Sequence, residues 1–366
     1  KQGYNKIMHV LILENGINID SLVLSLRENP NVGLIFASQD AICSIDEVTK
    51  LDVDSDEVSE LLDFALANEI GFAFVLSSKA QSSELIEVFE MNGIQTFGSS
   101  QAQYEYLLSR SNTKKMIYKN KIPTVKFAVF ERSQPAIDWC KSADYPITIM
   151  TDMKDEIKHS FLIDTFFKAQ DMIDSLFERG FEKIVIEQTM SGHHFTSYFL
   201  TDSVSHVHIA NLYKNKKLTV CPDFQVTKHL QERIFNDYYL KILNSINYNS
   251  APFCGVLKLD FLLLDEELYL NDVGASFNIA DFQMMLQFLD VNVFDLLSSV
   301  STGALEDFEG CNLIKDNYFA SLVTEKEQPL FEEDDNIECI ELRNDKFVYL
   351  SQASTVNRAC EYLDEV

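Results

Sequence analysis

The sequence predicts an α/β protein in two styles: a parallel, doubly wound sheet at the N-terminus, then a mainly antiparallel α+β body. Over the first hundred residues, short apolar runs alternate with helical stretches, as in parallel strands joined by crossover helices. Further on, apolar runs at 183–188, 194–200 and 207–212 follow one another as strands. Near the middle of the second half, GVLKLDFLLLDEELYLNDVGASFN (255–278) reads as two strands around an acidic turn, a β-hairpin.

The elements can be taken in order. Strands are expected at Val10–Leu13, Gly33–Phe36, Phe72–Leu76 and Thr96–Phe97, with helices at Ile19–Arg27, Glu57–Asn68 and Ser83–Asn92. Ligands of such sheets sit beyond the strand C-termini. The loop after the first strand, Glu14-Asn15-Gly16-Ile17-Asn18, has a single glycine and is a weak phosphate-binding candidate beside a plain βα loop. Tyr104–Asn120 reads as one partly basic helix, ended by Ile122-Pro123-Thr124 because proline disfavours helix in the residue before it. Strands follow near Val125–Phe130 and Ile147–Met150, with a helix near Pro135–Ser142 between them. Asp152–Ser160 is a charged loop and Phe166–Arg179 a helix. Beyond the hairpin, Ala280–Phe288 and Val293–Ser299 are expected helices, and Glu325–Asp335 an acidic surface loop. Strands at Ile337–Leu342 and Phe347–Leu350 and a helix at Thr355–Tyr362 close the chain.

Composition narrows the function classes. A chain of 366 residues has room for two or three compact units, and 46% hydrophobic content with 11% aromatics fits a folded soluble protein. No apolar run approaches the ~20 residues of a membrane span. KQGYNKI precedes Met8 without a secretory pattern, leaving Met8 as a candidate native start and the cytoplasm as the expected location. The net charge of −27 argues against nucleic acid or an anionic membrane as partner, yet permits a nucleotide in a locally basic cleft. Seven scattered cysteines, none in a C-x-x-C pair, signal reduced thiols and no zinc or disulfide framework. The 12 glycines are few for a protein that cradles phosphates on backbone N–H groups.

The hairpin carries the candidate metal site. With the turn centred on Glu266, Asp260 lies opposite Asp272, and directly opposed residues share a face. Two facing carboxylates repel unless a cation or protons compensate them. Mg²⁺ suits such a pair, because it takes a few carboxylate oxygens together with substrate phosphates. The competing reading is two aspartates at the wet edge of an ordinary hairpin, and a one-residue slip would separate them. His193 and His194 are adjacent on a strand and point to opposite faces, so one is expected buried and the other exposed.

The segment order resembles that of ATP-grasp ligases, most of all phosphoribosylamine–glycine ligases. NGIQTFGSSQAQYEYLLSRSNTKKMIYKNKIPTVKFAVF (92–130) resembles their junction before the ATP-grasp unit, and EKIVIEQTMSGHHFTSYFL (182–200) their hinge strand and the strand after it. The segment from Gly255 resembles their metal hairpin, LDVNVFDLLSSVSTGAL (289–305) their closing helix, and NDKFVYLSQASTVNRACEYL (344–363) the last strand and helix. The resemblance implies a Rossmann-like N-terminal domain (1–108), a two-part ATP-grasp core (109–182 and 183–306) and a shortened C-terminal domain (307–366). It implies ATP and Mg²⁺ as cofactors, small-molecule carboxylate and amine substrates, an acyl-phosphate mechanism and a homodimer. Position by position, Lys114, Lys158 and Lys216 fall on family lysines, and Glu187, Gln188 and Met190 on the adenine-holding hinge. Asp260 and Asp272 fall on the metal carboxylates. For Lys114 and Lys216 a solvated surface lysine is the competing reading.

Departures from the family pattern are numerous. Its GGRE loop falls near Asn15–Asn18 without the second glycine or the arginine. Met150 replaces a phosphate-contacting lysine, and the glycine-rich loop becomes Met153–His159, retaining Lys158. His193 or His194 replaces a ribose-contacting acid, TGGMG is missing between Lys217 and Gln225, and Ser276 replaces an arginine. An acidic loop repels phosphates that glycine N–H groups and lysine attract. Two readings therefore stand: a divergent ligase with altered donor or acceptor, and an inactive pseudo-ligase kept as a binding or partner protein.

Overall fold

The computed structural model describes residues 7–14, 18–54, 57–152, 159–215, 218–249, 252–324, 337–342 and 346–364. The first sheet contains β1 (Met8–Leu13), β2 (Val32–Ala37), β3 (Val48–Lys50), β4 (Ile70–Val75) and β5 (Gln95–Phe97), all parallel in the order β3-β2-β1-β4-β5. Val10 to Leu13 are wholly buried, as befits a central parallel strand covered on both faces. The expected strands and helices are present. The short β3 and the helix Ser78–Gln81 are additions.

The second sheet has β6 (Phe127–Phe130), β7 (Ile147–Thr151), β8 (Ser160–Ile163) and β9 (Ile184–Gln188), antiparallel in the order β6-β9-β7-β8. Helices Ser133–Cys140 and Phe166–Glu178 pack on it through Ala136, Ile137, Ala169 and Ile173. The third sheet has β10 (His193–Thr201), β11 (His206–Asn215), β12 (Leu218–Cys221), β13 (Gly255–Leu264), β14 (Glu267–Gly274), β15 (Tyr318–Thr324), β16 (Ile337–Leu342) and β17 (Lys346–Ala353). Its order is β14-β13-β10-β11-β12-β15-β17-β16 and every pair is antiparallel. The last three strands thus extend the central sheet through the β12–β15 pair. The C-terminal helix Val356–Asp364 packs against that extension through Ala359 and Leu363.

Side-chain alternation gives the large sheet two unlike faces. Phe195, Phe199, Leu257, Leu259 and Phe261 point toward the helical segment Lys228–Asn249 and form one core. Tyr198, Leu200 and Val256 point the other way, toward helices Ile279–Phe288 and Val293–Thr302 and the first sheet. Thr196, Lys258 and Asp260 share the second face, beyond its apolar part.

Two parts of the helical reading change. The expected single helix Tyr104–Asn120 is two helices, Gln101–Leu108 and Arg110–Lys119. Ser109 between them is extended (φ −74, ψ 114), and its hydroxyl accepts from Asn112 N at 3.2 Å, capping the second helix. The segment Lys228–Asn249 was not anticipated. Its apolar residues Leu230, Ile234, Tyr238, Ile242 and Ile246 recur every four positions, slightly wider than the 3.6-residue turn. The six-residue π turn Ile234–Tyr239 takes up that drift and keeps the stripe on the sheet. Among the described residues, no helix is long and apolar enough to cross a membrane.

The hairpin reaches the expected pairing by an unexpected route. Its turn is the two residues Asp265 and Glu266, both left-handed (φ 49 and 67), with Leu264 opposite Glu267. That turn alone would leave Asp260 opposite Asn271. A bulge at Asn271 restores the Asp260–Asp272 pair, while Phe261 faces Leu270. Left-handed geometry is costly for aspartate and glutamate, and two-residue turns of this hand prefer Asn-Gly. The double substitution Asp265→Asn/Glu266→Gly should therefore raise stability by ~1 kcal/mol, read as a higher urea midpoint at unchanged slope.

A second stability prediction concerns His208 on β11. Its ring lies 5.0 Å from Phe199, and Nε2 is 3.2 Å from Asn211 Oδ1. Burial, only partly offset by the Asn211 contact, lowers its pKa from 6.5 to about 4. Below pH 6.5 the unfolded chain takes up a proton that the folded chain refuses until about pH 4. Stability should be complete above that window and fall through it, by up to ~3 kcal/mol from this residue. Urea unfolding across the window should show a shallower loss in His208→Gln than in the native chain.

Candidate functional site

Asp260 and Asp272 sit opposite one another near the open end of the hairpin. Thr196 on β10 pairs with Asp260, and its hydroxyl donates to Asp260 Oδ1 at 2.6 Å. The other oxygen, Oδ2, lies 2.9 Å from the ammonium of Lys258. Lys258 is two residues earlier on the same strand, hence on the same face, and its cross-strand partner is Gly274. The Lys258 stem runs beside Gly274, where an added Cβ would lie 3.8 Å from Lys258 Cε, an ordinary van der Waals contact. Burial alone would lower the Lys258 pKa. The carboxylates of Asp260, Asp272 and Asp281 outweigh it and hold the ammonium above its ordinary range, fully charged.

Asp272 is reached from a different element. Thr113 donates to Asp272 Oδ1 at 3.3 Å, and Val273 N is 3.0 Å from the same oxygen. Thr113 lies on the helix Arg110–Lys119, and its neighbour Lys114 forms an ion pair with Glu187 Oε2 at 2.6 Å at the end of β9. Lys114 is 2% exposed and also lies 5.6 Å from the Phe127 ring, which rules out a solvated surface lysine. The N-terminus of this helix is tied down as well: Ser109 Oγ and Ser111 N donate to Asp152 at 3.0 and 3.2 Å. One helix therefore joins the hinge strand to the hairpin and gathers Lys114, Glu187 and Asp272.

A third cluster closes the floor. Asp281, 1% exposed at the start of helix Ile279–Phe288, accepts from Tyr198 OH at 2.6 Å and pairs with Lys214 on β11. Burial first, and the Asp281 charge second, push the Tyr198 phenol well up, so it stays a protonated donor. Lys214, Lys258 and Lys346 line a cavity of about 450 Å³ with Asp260, Asp281 and Thr196. In a chain of net charge −27, the three lysines match the nearby carboxylates of Asp260, Asp272 and Asp281, and Lys214 and Lys258 are already paired with two of them, so the cavity is a locally neutral patch in an acidic protein.

Gln188 follows Glu187 at the end of β9 and its N donates to Lys126 O at 2.9 Å, and Met190 lies two residues beyond the strand. Lys158 and Lys216 lie outside the described residues, as do most of the Asn15–Asn18 and Met153–His159 segments and the Glu325–Asp335 loop. Met150 is buried in the second sheet opposite Val185. His193 is nearly buried, 2.6 Å from Asp223 Oδ2 and stacked 4.6 Å from Tyr213, while His194 is exposed, as alternation requires. Sequence reasoning missed Lys214, Lys258, Asp281 and Thr196. Lys258 was legible as a lone cation inside an apolar strand, spaced two from an aspartate. Asp281 was hidden, because its partners come from distant strands.

Mg²⁺ demands near-octahedral oxygen ligands at ~2.1 Å and sheds water reluctantly. Asp260 offers one oxygen to a hydroxyl and the other to an ammonium, and the described residues hold no cluster of three acidic, histidine or cysteine side chains that could bind a metal. With Lys258 in place, the pair does not fit a resident metal.

No protein-family model matches the chain. In sequence it is similar to the phosphoribosylamine–glycine ligase of Caldanaerobacter subterraneus, 22% identical over 326 residues covering 82% of this chain and 77% of that one. The ligase of Clostridium acetobutylicum is 19% identical over 320 residues, with the same 82% and 77% coverage. In structure it is similar to N5-carboxyaminoimidazole ribonucleotide synthetase from Thermus thermophilus, with TM-score 0.73, 14% identity and coverage of 97% and 96%. Biotin carboxylase from Campylobacter jejuni, solved as a β-γ-ATP complex, gives TM-score 0.72, 12% identity and coverage of 98% and 90%.

The Lys114–Glu187 pair yields a direct prediction. Removing one partner of a buried pair strands the other charge, so Lys114→Met should cost ~3–5 kcal/mol. Lys114→Met/Glu187→Met should cost clearly less than the two single substitutions added together, measured by chemical denaturation.

Proposed function

We propose, from its divergent ATP-grasp architecture, that the chain is an ATP-dependent ligase joining a carboxylate to an amine. ATP phosphorylates the carboxylate, the amine displaces phosphate from the acyl phosphate, and the products are an amide, ADP and phosphate. The observation that carries this reading is the lysine-lined cavity on the polar face of the large sheet, inside a strongly acidic chain. Charge-assisted donors aimed at transferring phosphoryl oxygens are what such chemistry needs. In this reading Lys214, Lys258 and Lys346 face the phosphates. Glu187, Gln188 and Met190 border the adenine, and Lys114 holds Glu187 in place. Lys158 and Lys216 are assigned to phosphates by resemblance alone.

The pseudo-ligase reading draws on one observation: Met150 is buried where the family carries a phosphate-contacting lysine. Calorimetric titration with ATP and ADP separates the two. Micromolar binding, weakened about tenfold by Lys346→Met through loss of one charged contact, supports the ligase and justifies a screen of carboxylates and amines. Absence of binding at millimolar nucleotide overturns it and leaves a binding or partner protein.

A further inference from the structure

We infer that Lys258 is a tethered counter-cation for the Asp260/Asp272 pair, occupying the position where a divalent ion would otherwise bind. The inference deepens the ligase reading by stating how its acidic pair is regulated, and its basis is the hairpin geometry. Three observations converge. The ammonium lies 2.9 Å from Asp260 Oδ2, at hydrogen-bond distance. The lysine lies on the carboxylates' own face by strand alternation, with Gly274 as its cross-strand partner. Thr196 occupies the second Asp260 oxygen, and Asp281 is committed to Tyr198 and Lys214.

The chemistry of the exchange is simple. The ammonium and a divalent cation would compete for the same Asp260 oxygen, and a covalently attached cation has a high effective concentration. A free ion must therefore displace a competitor that cannot diffuse away. Anionic phosphates arriving in the cavity would attract the ammonium and uncover the carboxylates together. Divalent-ion binding would then depend on the anion, and the empty protein would hold no divalent ion.

Mn²⁺ alone, added to the full chain without nucleotide and followed by its EPR signal, tests this. The native protein should leave Mn²⁺ free at submillimolar concentration. Lys258→Met should gain one site, at least about tenfold tighter, and Asp272→Asn in that background should remove it. Lys258→Gln, which keeps a polar side chain without charge, should behave like Lys258→Met and guards against misfolding of the latter. Thermal melts identify which variants are folded. Native Mn²⁺ binding as tight as in the variants, or no gain in a folded variant, would overturn the inference. Because no nucleotide is present, that failure is distinct from a failure of the ligase reading, which the ATP titration reports separately.

Discussion

The structure turns on the electrostatic compensation of two facing aspartates. Asp260 and Asp272 are brought together by a bulge at Asn271. Two carboxylates so placed cannot both stay ionised in a poorly solvated site without a cation nearby. The chain supplies its own. Lys258 balances the pair from within β13, and Thr196 and Thr113 supply hydroxyl donors. The network is half-buried, so its charges interact more strongly than at an open surface. Its position on the sheet fixes the polarity of the whole cavity.

From that point the other parts follow. Thr113 belongs to the helix Arg110–Lys119, whose next residue grips Glu187 and whose first turn is held by Asp152. The second sheet, through β9 and Asp152, and the hairpin are therefore mechanically linked through one short helix, whose start depends on the break at Ser109. Had the helix run unbroken from Tyr104, as its composition suggested, the Ser109 hydroxyl would not have been turned to cap it and meet Asp152.

Much of the fold was legible because strands and helices differ in apolar period. β1, β4 and the hairpin are continuous or alternating runs that leave little choice. Lys228–Asn249 went unread although its four-residue stripe was present, because a π turn broke the usual helical period. The Asp260–Asp272 pairing was read correctly for an incomplete reason. The assumed turn centre was half a residue off, and the bulge that corrects it carries no strong sequence mark. Lys214, Asp281 and Tyr198 were invisible because their association arises only when three distant segments pack.

The fold is similar to those of biotin carboxylase and N5-carboxyaminoimidazole ribonucleotide synthetase, while the residues lining its cavity are this chain's own. Three lysines line the cavity beside its aspartates, and one of the paired carboxylates already holds an ammonium. The most direct test is a double-mutant cycle in unfolding free energy between Lys258→Met and Asp272→Asn. If Lys258 compensates the pair, its removal should cost much less once Asp272 is neutral, giving a coupling of ~1–3 kcal/mol. Additive effects, with no coupling, would mean that Lys258 does not balance the pair and would contradict the account.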